Sequence, residues 1–177
     1  MWKKLIIILI AATATCYGLL SPEKHTVPNK PAFETFLPSA LRESIPWKIV
    51  ESTVTEQGFG LKEWIPEDQS IKNWSDKFCV QYIPYDSDTK KNARVLFREI
   101  HDKKKKKFLN WDILEMQDGS VLYETMDSRL KKFRQEFTRI ITTDDGYYLI
   151  SFKRLDEPVT ESQHAYWTQL LKDIKVK

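Results

Sequence analysis

Glycine and cysteine are scarce in this sequence, and each shortage argues against a class of protein. The chain has five glycines among 177 residues and lacks the G-x-x-x-x-G-K pattern with which phosphate-binding loops surround a nucleotide. Its two cysteines, Cys16 and Cys79, cannot form the disulfide framework of a small secreted scaffold. The G-x-S-x-G pattern of serine hydrolases is missing as well. The sequence therefore carries no signature of a catalytic residue.

Histidine is also scarce, which bears on metal binding. The three histidines, His25, His101 and His164, lie in separate segments, and none has the spacing of a zinc-binding motif. Cys79 has no second thiol beside it and lies in the apolar run FCVQYI, which is typical of a small buried side chain rather than a reactive thiol. We therefore expect no metal site and no cofactor.

The charges of the chain are close to balance. There are 28 basic and 25 acidic residues, for a net charge of +3, and Lys3 and Lys4 near the N-terminus supply two of these positive charges. Proteins that bind nucleic acids normally carry a clear basic excess. We therefore expect no specific nucleic-acid partner.

Residues 1–20 have the composition of a signal peptide or membrane anchor. MWKK places two lysines before the apolar run LIIILIAATA, which is the order of a secretory signal. Three forms remain open. The first is a cleaved signal with a site at residues 12–14 or, as a looser match, at residues 16–18. The others are an uncleaved anchor and a lipoprotein signal in which Cys16 is acylated. Residues 5–20 are fewer than the about 20 that usually span a bilayer. Each form predicts export, either to the periplasm or to the periplasmic side of the inner membrane.

A proline-rich segment separates this signal from the rest of the chain. Residues 21–46 contain five prolines, Pro22, Pro28, Pro31, Pro38 and Pro46, which is typical of an extended tether. No second linker and no internal repeat follow. The sequence predicts a single α+β domain over residues 47–177.

Within that domain most segments alternate apolar and polar residues with a period of two, which predicts strands. Asp118-Gly119 and Asp144-Asp145-Gly146 are hairpin signals between such segments. Residues 89–101 carry an apolar stripe of helical period, and a second helix opens at Thr160 with the Thr-x-x-Gln spacing of a capping box. The predicted strands are WKIVESTVT, FGLKEWI, FCVQYI, FLNWDILEMQ, SVLYETM, FRQEFTRIITT and YYLISFKRL.

The predicted order is β-β-β-α-β-β-β-β-α. Hairpin connections make neighbouring strands antiparallel, and each helix must bury its apolar stripe against the sheet. We therefore predict the α+β class: a curved antiparallel sheet of about seven strands packed with two helices.

Several short motifs in this order resemble those of a known group. They are EWIP, QSIKNW, VQYIP, WDIL, VLYE, E-F-T-R-I-I-T-x-D-D-G and a last helix with Trp167 and Leu170. Over residues 47–174 the chain resembles a group of small exported, mostly uncharacterised gammaproteobacterial proteins. Members commonly carry a cysteine within the segment corresponding to residues 103–108, which this chain lacks. The element order is also similar to the PsbP/Mog1-like sandwich. Neither resemblance implies a catalytic residue.

Five consecutive lysines form the most distinctive local feature of the sequence: Lys103, Lys104, Lys105, Lys106 and Lys107. One interpretation is the solvated end of the first helix, where lysines interact favourably with the helix dipole. The other is a contact for an anionic surface such as phosphate headgroups. We expect at most weak, salt-sensitive attraction to an anionic membrane surface.

Two aromatic residues and two carboxylates were further candidates for a site. Trp64 and Trp74 flank a polar turn, and we expect both to pack as core residues at a corner of the sheet, with the lip of a binding site as the alternative. Glu124 and Glu136 lie on neighbouring strands at positions that could face each other. Such residues usually form ion pairs, here with Arg134 or Lys131, and a general acid–base role is the alternative.

These observations predict an exported, non-enzymatic protein, periplasmic or envelope-associated, that acts as a protein-interaction or envelope accessory module. Its partner is then another envelope protein. The alternative is a small-ligand-binding protein or enzyme that uses a pocket between sheet and helices. A ligand binder should have a concave pocket with converging polar groups, whereas an interaction module should have an exposed apolar patch or an unpaired edge strand.

Overall fold

The computed structural model describes most of the predicted domain but little of the N-terminal region. The described residues are 41, 45–85, 92–105, 110–127 and 133–176. The predicted signal, Cys16, most of the tether, Lys106 and Lys107 lie outside them.

Seven strands form one antiparallel sheet, and this confirms the predicted α+β class. The sheet is open, with spatial order β1-β2-β3-β7-β6-β5-β4. The strands are β1 (Trp47–Val54), β2 (Gly60–Pro66), β3 (Asp76–Pro84), β4 (Asn110–Met116), β5 (Ser120–Asp127), β6 (Arg134–Thr142) and β7 (Gly146–Leu155).

The sheet consists of two meanders joined along one seam. Strands β1 to β3 form the first meander, and β4 to β7 form the second. The seam pairs β3 with β7 in continuous register from Asp76 opposite Arg154 to Pro84 opposite Gly146. These two strands therefore lie at the centre of the sheet, where both of their faces can be covered.

Two helices are described, α1 (Ala93–Lys104) and α2 (Glu161–Asp173). The Asn92 side chain caps α1 by accepting a hydrogen bond from the Val95 N–H at 3.0 Å, so this helix begins and ends about one turn later than the sequence predicted. Thr160 and Gln163 form the predicted capping box of α2. No helix in the described part of the chain is long and apolar enough to cross a membrane.

The helices cover opposite faces of the sheet. On β3 and β7, Phe78, Val80 and Ile150 pack with α2, whereas the alternating residues Ile83 and Leu149 pack with α1. Because successive side chains of a strand point to opposite faces, the two helices must lie on different sides. Two separate apolar cores result, one on each face.

The C-terminal end of α2 is held by an arginine of the sheet. Arg139 Nη1 donates to the carbonyl oxygens of Leu171, Lys172 and Ile174, at 2.6, 2.6 and 3.0 Å. These carbonyls have no partner within the helix, and a cation at this end also interacts favourably with the helix dipole. On the same face, Leu41 of the predicted tether is buried at 1% exposure.

Candidate functional site

A polar cleft lies on the α1 face, beyond the C-terminal end of that helix. Ser151 and Thr138, which lie opposite each other on β7 and β6, form its floor. Cys79 lies opposite Ser151 in the same cross-strand row but is buried beneath the surface. Glu63 of β2 and Tyr123 of β5 close the two ends of the row. Since Ser151 and Thr138 are small and Glu63 and Tyr123 are large, the sheet surface is depressed here. The cleft has a volume of about 360 Å³.

The next cross-strand row brings charged side chains into the same cleft. Lys153 lies between Lys77 on β3 and Glu136 on β6. Lys77 Nζ is 2.8 Å from Glu63 Oε2, and Lys153 Nζ is 3.7 Å from Glu136 Oε1. These four side chains are between 12% and 17% exposed. Two cross-strand ion pairs therefore lie mostly out of solvent at the middle of the sheet.

Both members of the Lys153–Glu136 pair are charged at neutral pH. Burial alone would raise the pKa of the Glu136 carboxyl, but the positive charges of Lys153, Lys104 and Arg134 outweigh it and hold that pKa below its usual value. Burial alone would lower the pKa of Lys153, but the Glu136 carboxylate chiefly outweighs it and holds that pKa above its usual value. Each charge therefore stabilises the other across the neutral range.

Hydroxyl groups extend this network to the end of the floor. The Thr138 hydroxyl donates to Glu136 Oε1 at 3.2 Å. Burial is the main cause that raises the pKa of the Tyr123 phenol, while a side-chain hydrogen bond with Thr138 partly opposes it. The Thr138 hydroxyl thus helps to fix the position of the Glu136 carboxylate, and Tyr123 lies opposite Thr138 on the next strand.

The walls of the cleft come from a turn and from the end of α1. Trp74 forms one wall, with Lys77 Nζ 4.6 Å from the centre of its ring, a cation–π contact that orients both side chains. Ile100 and Lys104 of α1 form another wall, and Arg134 of β6 also lines the space. In all, four cationic side chains and two carboxylates line the cleft, an excess of two positive charges.

Trp64 and Trp74 lie on opposite faces of the sheet. Trp64 is 4% exposed and packs on the α2 face, with its ring centroid 5.8 Å from that of Phe78. Trp74 lies on the other side, in the cleft wall. Trp64 is therefore a core residue, and Trp74 has the position that a ligand-contacting aromatic would need.

The described lysines of the lysine run also differ in their surroundings. Lys103 and Lys104 lie in the last turn of α1, and the Lys105 N–H donates to the His101 carbonyl just beyond it. Lys105 Nζ is 3.3 Å from Asp102 Oδ1, whereas Lys104 lines the cleft. The run therefore does not present one continuous surface.

The expectation that Glu124 and Glu136 face each other is wrong. Glu124 is paired with Phe137 and Glu136 with Thr125, and adjacent positions on a strand point to opposite faces. Glu124 is on the α2 face, where its carboxylate accepts a hydrogen bond from Gln135 Nε2 and lies 2.9 Å from His164 Nε2. Glu136 pairs with Lys153 rather than with Arg134, and Lys131 lies outside the described residues.

The geometry of the described residues supports neither a metal site nor a reactive thiol. Among the described residues, no three His, Cys, Asp or Glu side chains come together as a metal site. Cys79 is 1% exposed, and burial raises the pKa of its thiol to about 12. The thiol therefore stays protonated and unreactive at neutral pH.

Lys153, Lys77 and Glu63 were missed as site residues when the sequence was read alone. A signal was present: Lys77 directly precedes the apolar residues of β3, and Lys153 directly follows those of β7, and these two strands are central in the sheet. A charged residue on a strand covered on both faces needs a partner or a function. These lysines were uninformative without the sheet order, which decides which strands are central.

No protein-family model matches the chain, and no curated protein matches it either. Among solved structures, the chain is similar to a mutant of protein Mog1, with a TM-score of 0.38 and 10% sequence identity. The match covers 71% of this chain and 85% of the Mog1 chain. The similarity to Mog1 is a distant one of fold, and the resemblance to small exported gammaproteobacterial proteins stays a prediction.

Proposed function

We propose that this chain is a non-enzymatic binding protein of the bacterial cell envelope that holds a small polar ligand in the cleft on the α1 face. The observation that carries the proposal is the concave floor of Ser151 and Thr138, surrounded by charged side chains. The volume of about 360 Å³ lies within the range of small-molecule sites, roughly 300–1,000 Å³. The envelope location rests on the signal-like residues 1–20.

The pKa shifts in the cleft favour binding over catalysis. A general base or acid works best with a pKa near the operating pH. The pKa of Glu136 is lowered and that of Lys153 is raised, so both move away from neutrality. Glu136 is then a weak base, and Lys153 stays protonated and is no nucleophile. Both groups are suited to fixed-charge recognition.

The sheet separates His164 from the cleft. His164 pairs with Glu124 on the α2 face, whereas the cleft is on the α1 face. Its ring also contacts Phe137 edge-on, with centroids 5.0 Å apart. We assign this pair to the docking of α2 rather than to chemistry in the cleft.

A second candidate function is contact with another envelope protein through the edge strand β1. Among the described strands, none pairs with the outer side of β1, and two of its apolar side chains are exposed, Ile49 at 53% and Val54 at 41%. Exposed edges of this kind can add a strand from a partner. However, a bulge between Ile49 and Glu51 interrupts the register, and bulges commonly protect an edge from pairing.

A thermal-shift screen tests the cleft. Fractions of a small-molecule extract are added to the wild-type protein and to Ser151→Phe, in which a bulky ring fills the floor. We expect at least one fraction to raise the melting temperature of the wild type but not of Ser151→Phe. The matched control is Ser52→Phe, which places the same ring on the exposed surface of β1 and should respond like the wild type.

Folding of the filled variant is checked first by circular dichroism. If Ser151→Phe does not fold, Trp74→Ala replaces it, because this change removes one wall and leaves the floor intact. Stabilisation that is equal in the wild type and in the cleft variant, or that no fraction produces, would contradict the proposal. A loss of stabilisation in Ser52→Phe would instead favour the β1 edge.

A further inference from the structure

The edge of the sheet at β1 exposes two apolar side chains. Ile49 is 53% exposed and Val54 is 41% exposed. Among the strands that the structure describes, only β2 pairs with β1. The backbone N–H and C=O groups along such an edge can pair with a strand from outside. This surface is separate from the cleft, which β1 does not line.

The bulge in β1 brings these two side chains to one face of the sheet. Ile49 is opposite Trp64, which packs on the α2 face. Val54 is opposite Gly60, and Gly60 is opposite Tyr82, which packs on the same face. Positions five apart on a regular strand would point to opposite faces. The extra residue of the bulge removes that difference, so the edge has an apolar stripe on one face.

The exposed positions of β1 are complementary to themselves. When two copies of β1 run antiparallel about a two-fold axis at Ser52, Ile49 of each copy lies opposite Val54 of the other. The two residues between Ile49 and Ser52 then lie opposite a single residue, Thr53. Two residues against one is also the arrangement of the bulge that β1 forms against β2. The bulge is therefore compatible with pairing on its outer side in this register.

The charges and the backbone of β1 are compatible with the same pairing. Its charged residues are Lys48 and Glu51, and it contains no proline, so every residue can donate a backbone hydrogen bond. Lys48 Nζ donates to the Glu67 carbonyl at 2.7 Å, and the Glu51 carboxylate accepts from the Thr53 hydroxyl. In the two-fold register Glu51 is opposite Thr53 of the other copy. Like charges directly opposite one another, which destabilise a sheet, are therefore avoided.

We propose that β1 is a dimerisation edge and that its partner is β1 of a second copy of this chain, paired antiparallel about Ser52. An isologous interface requires one patch that is complementary to itself, and the positions of Ile49 and Val54 meet that requirement. The second candidate function assigns this edge to another envelope protein, whereas the dimer assigns it to an identical strand. Ligand binding in the cleft is independent of the dimer, because the cleft lies on the α1 face.

Cysteine cross-linking tests the register. Directly opposite residues of antiparallel strands have Cα atoms about 4.5–5.5 Å apart, and a disulfide joins Cα atoms about 4.4–6.8 Å apart. The full chain carries Cys16→Ser, so that the buried Cys79 is its remaining native thiol. Ser52→Cys in this background should form a disulfide-linked dimer on mild oxidation, measured by electrophoresis without reductant. The matched control is Ser162→Cys, an exposed position on α2.

A mixed cross-link tests the same register at its ends. Ile49→Cys and Val54→Cys should form a linked dimer when the two variants are mixed. Neither variant should do so alone, because in the two-fold register each cysteine lies opposite an apolar side chain of its own copy type. A size tag on one variant identifies the mixed species.

Sedimentation equilibrium of the full chain in one mild detergent tests the contribution of the apolar pairs. We expect a concentration-dependent dimer of the wild type. Ile49→Lys with Val54→Lys should raise the dimer Kd at least about tenfold, because lysines would then lie opposite one another. The matched control is Ile113→Lys on β4, the other edge strand, where Ile113 is 52% exposed. This change should leave the Kd unaltered.

Circular dichroism first shows whether the lysine variant folds, and if it does not, the cross-links decide. A wild type that is monomeric at every concentration, Ser52→Cys that links no more than Ser162→Cys, or an unchanged Kd in the folded lysine variant would each overturn the dimer. Loss of the dimer in Ile113→Lys alone would place it at β4 and would also overturn the proposal. The thermal-shift test of the cleft is separate, so the two proposals can fail independently.

Discussion

The indole ring of Trp167 lies flat on the phenyl ring of Phe152, with ring centroids 3.5 Å apart and planes inclined by 11°. Phe152 is fully buried on the central strand β7, and Trp167 is 7% exposed on α2. Aromatic side chains bury large apolar areas, and stacked pairs add to that contribution. This contact anchors the last helix to the middle of the sheet.

Removal of the indole ring should therefore destabilise the fold. We expect Trp167→Ala to lower the free energy of unfolding by about 3–5 kcal/mol, the usual cost of an aromatic side chain lost from a core. Urea denaturation followed by circular dichroism measures this. Val95→Ala on α1 is the control, because Val95 is 38% exposed, and its effect should stay within about 0.5 kcal/mol. Similar values for the two variants would show that α2 does not depend on this contact.

Two glycines in hairpin turns should respond differently to alanine. A Cβ atom at Gly146 would lie 2.4 Å from the Ile83 carbonyl oxygen and 2.7 Å from the Tyr82 ring, whereas one at Gly119 would meet nothing within 4 Å. Gly146→Ala should therefore cost about 1–3 kcal/mol or more, because the backbone of β3 cannot move freely. Gly119→Ala should be neutral or slightly stabilising. Melting temperatures of the two variants test this pair, and equal effects would contradict it.

Acid should weaken the fold through Glu136. A carboxyl group whose pKa is lowered in the folded state stabilises that state above its unfolded pKa and loses this contribution as pH falls through the folded value. A lysine whose pKa is raised stabilises below its unfolded pKa and loses this contribution as pH rises through the folded value. Glu136 and Lys153 therefore contribute fully between the unfolded values of 4.5 and 10.5.

Urea unfolding from about pH 3 to about pH 7 measures the acid side of this window. We expect the wild type to lose more free energy of unfolding on acidification than the double variant Lys153→Met with Glu136→Gln. Equal pH dependence of the two proteins would show that the pair does not have the charges assigned to it. The absolute stability of the double variant at neutral pH is a separate quantity, because neutral replacements of a buried ion pair often cost little.

The N-terminal segment should direct export. A fusion of residues 1–46 to a reporter that is active only outside the cytoplasm should give activity. Ile8→Asp should abolish it, because a charged residue in the apolar run costs about 2.5–3.5 kcal/mol of membrane insertion. Ser21→Asp, outside that run, is the control and should retain activity. Reporter activity that survives Ile8→Asp would contradict the envelope location.

Local sequence patterns were sufficient to predict the helices, strands and hairpins of this fold. Asp118-Gly119 and Asp144-Asp145-Gly146 correctly marked two hairpins, and Thr160 with Gln163 correctly marked the start of α2, because turn and cap preferences act within a few residues. The start of α1 was misplaced because Asn92, a strong capping residue, was overlooked in favour of the apolar stripe. The type of each element, helix or strand, was therefore predictable. The exact start of a helix was harder to predict, because a single capping side chain can determine it.

The candidate site depends on pairings that no local pattern determines. Cys79 and Ser151 become neighbours only because β3 pairs with β7, and Thr138 joins them through β6. The same seam puts Lys77 next to Lys153. The prediction for Glu124 and Glu136 failed for the same reason. Their strands are neighbours, but the register places the two side chains on opposite faces of the sheet. The cleft follows from strand order and register, which are properties of the whole chain.

The seam between β3 and β7 also has a consequence for the order of folding. Each meander consists of strands that are close in sequence, but the two meet only where residues 76–84 pair with residues 146–155. Contacts between distant segments form slowly, because a long loop must be closed before they stabilise the chain. We expect the hairpins to form first and the seam late. The cleft, whose lining comes from both sides of the seam, then becomes complete only as the last half of the sheet joins the first.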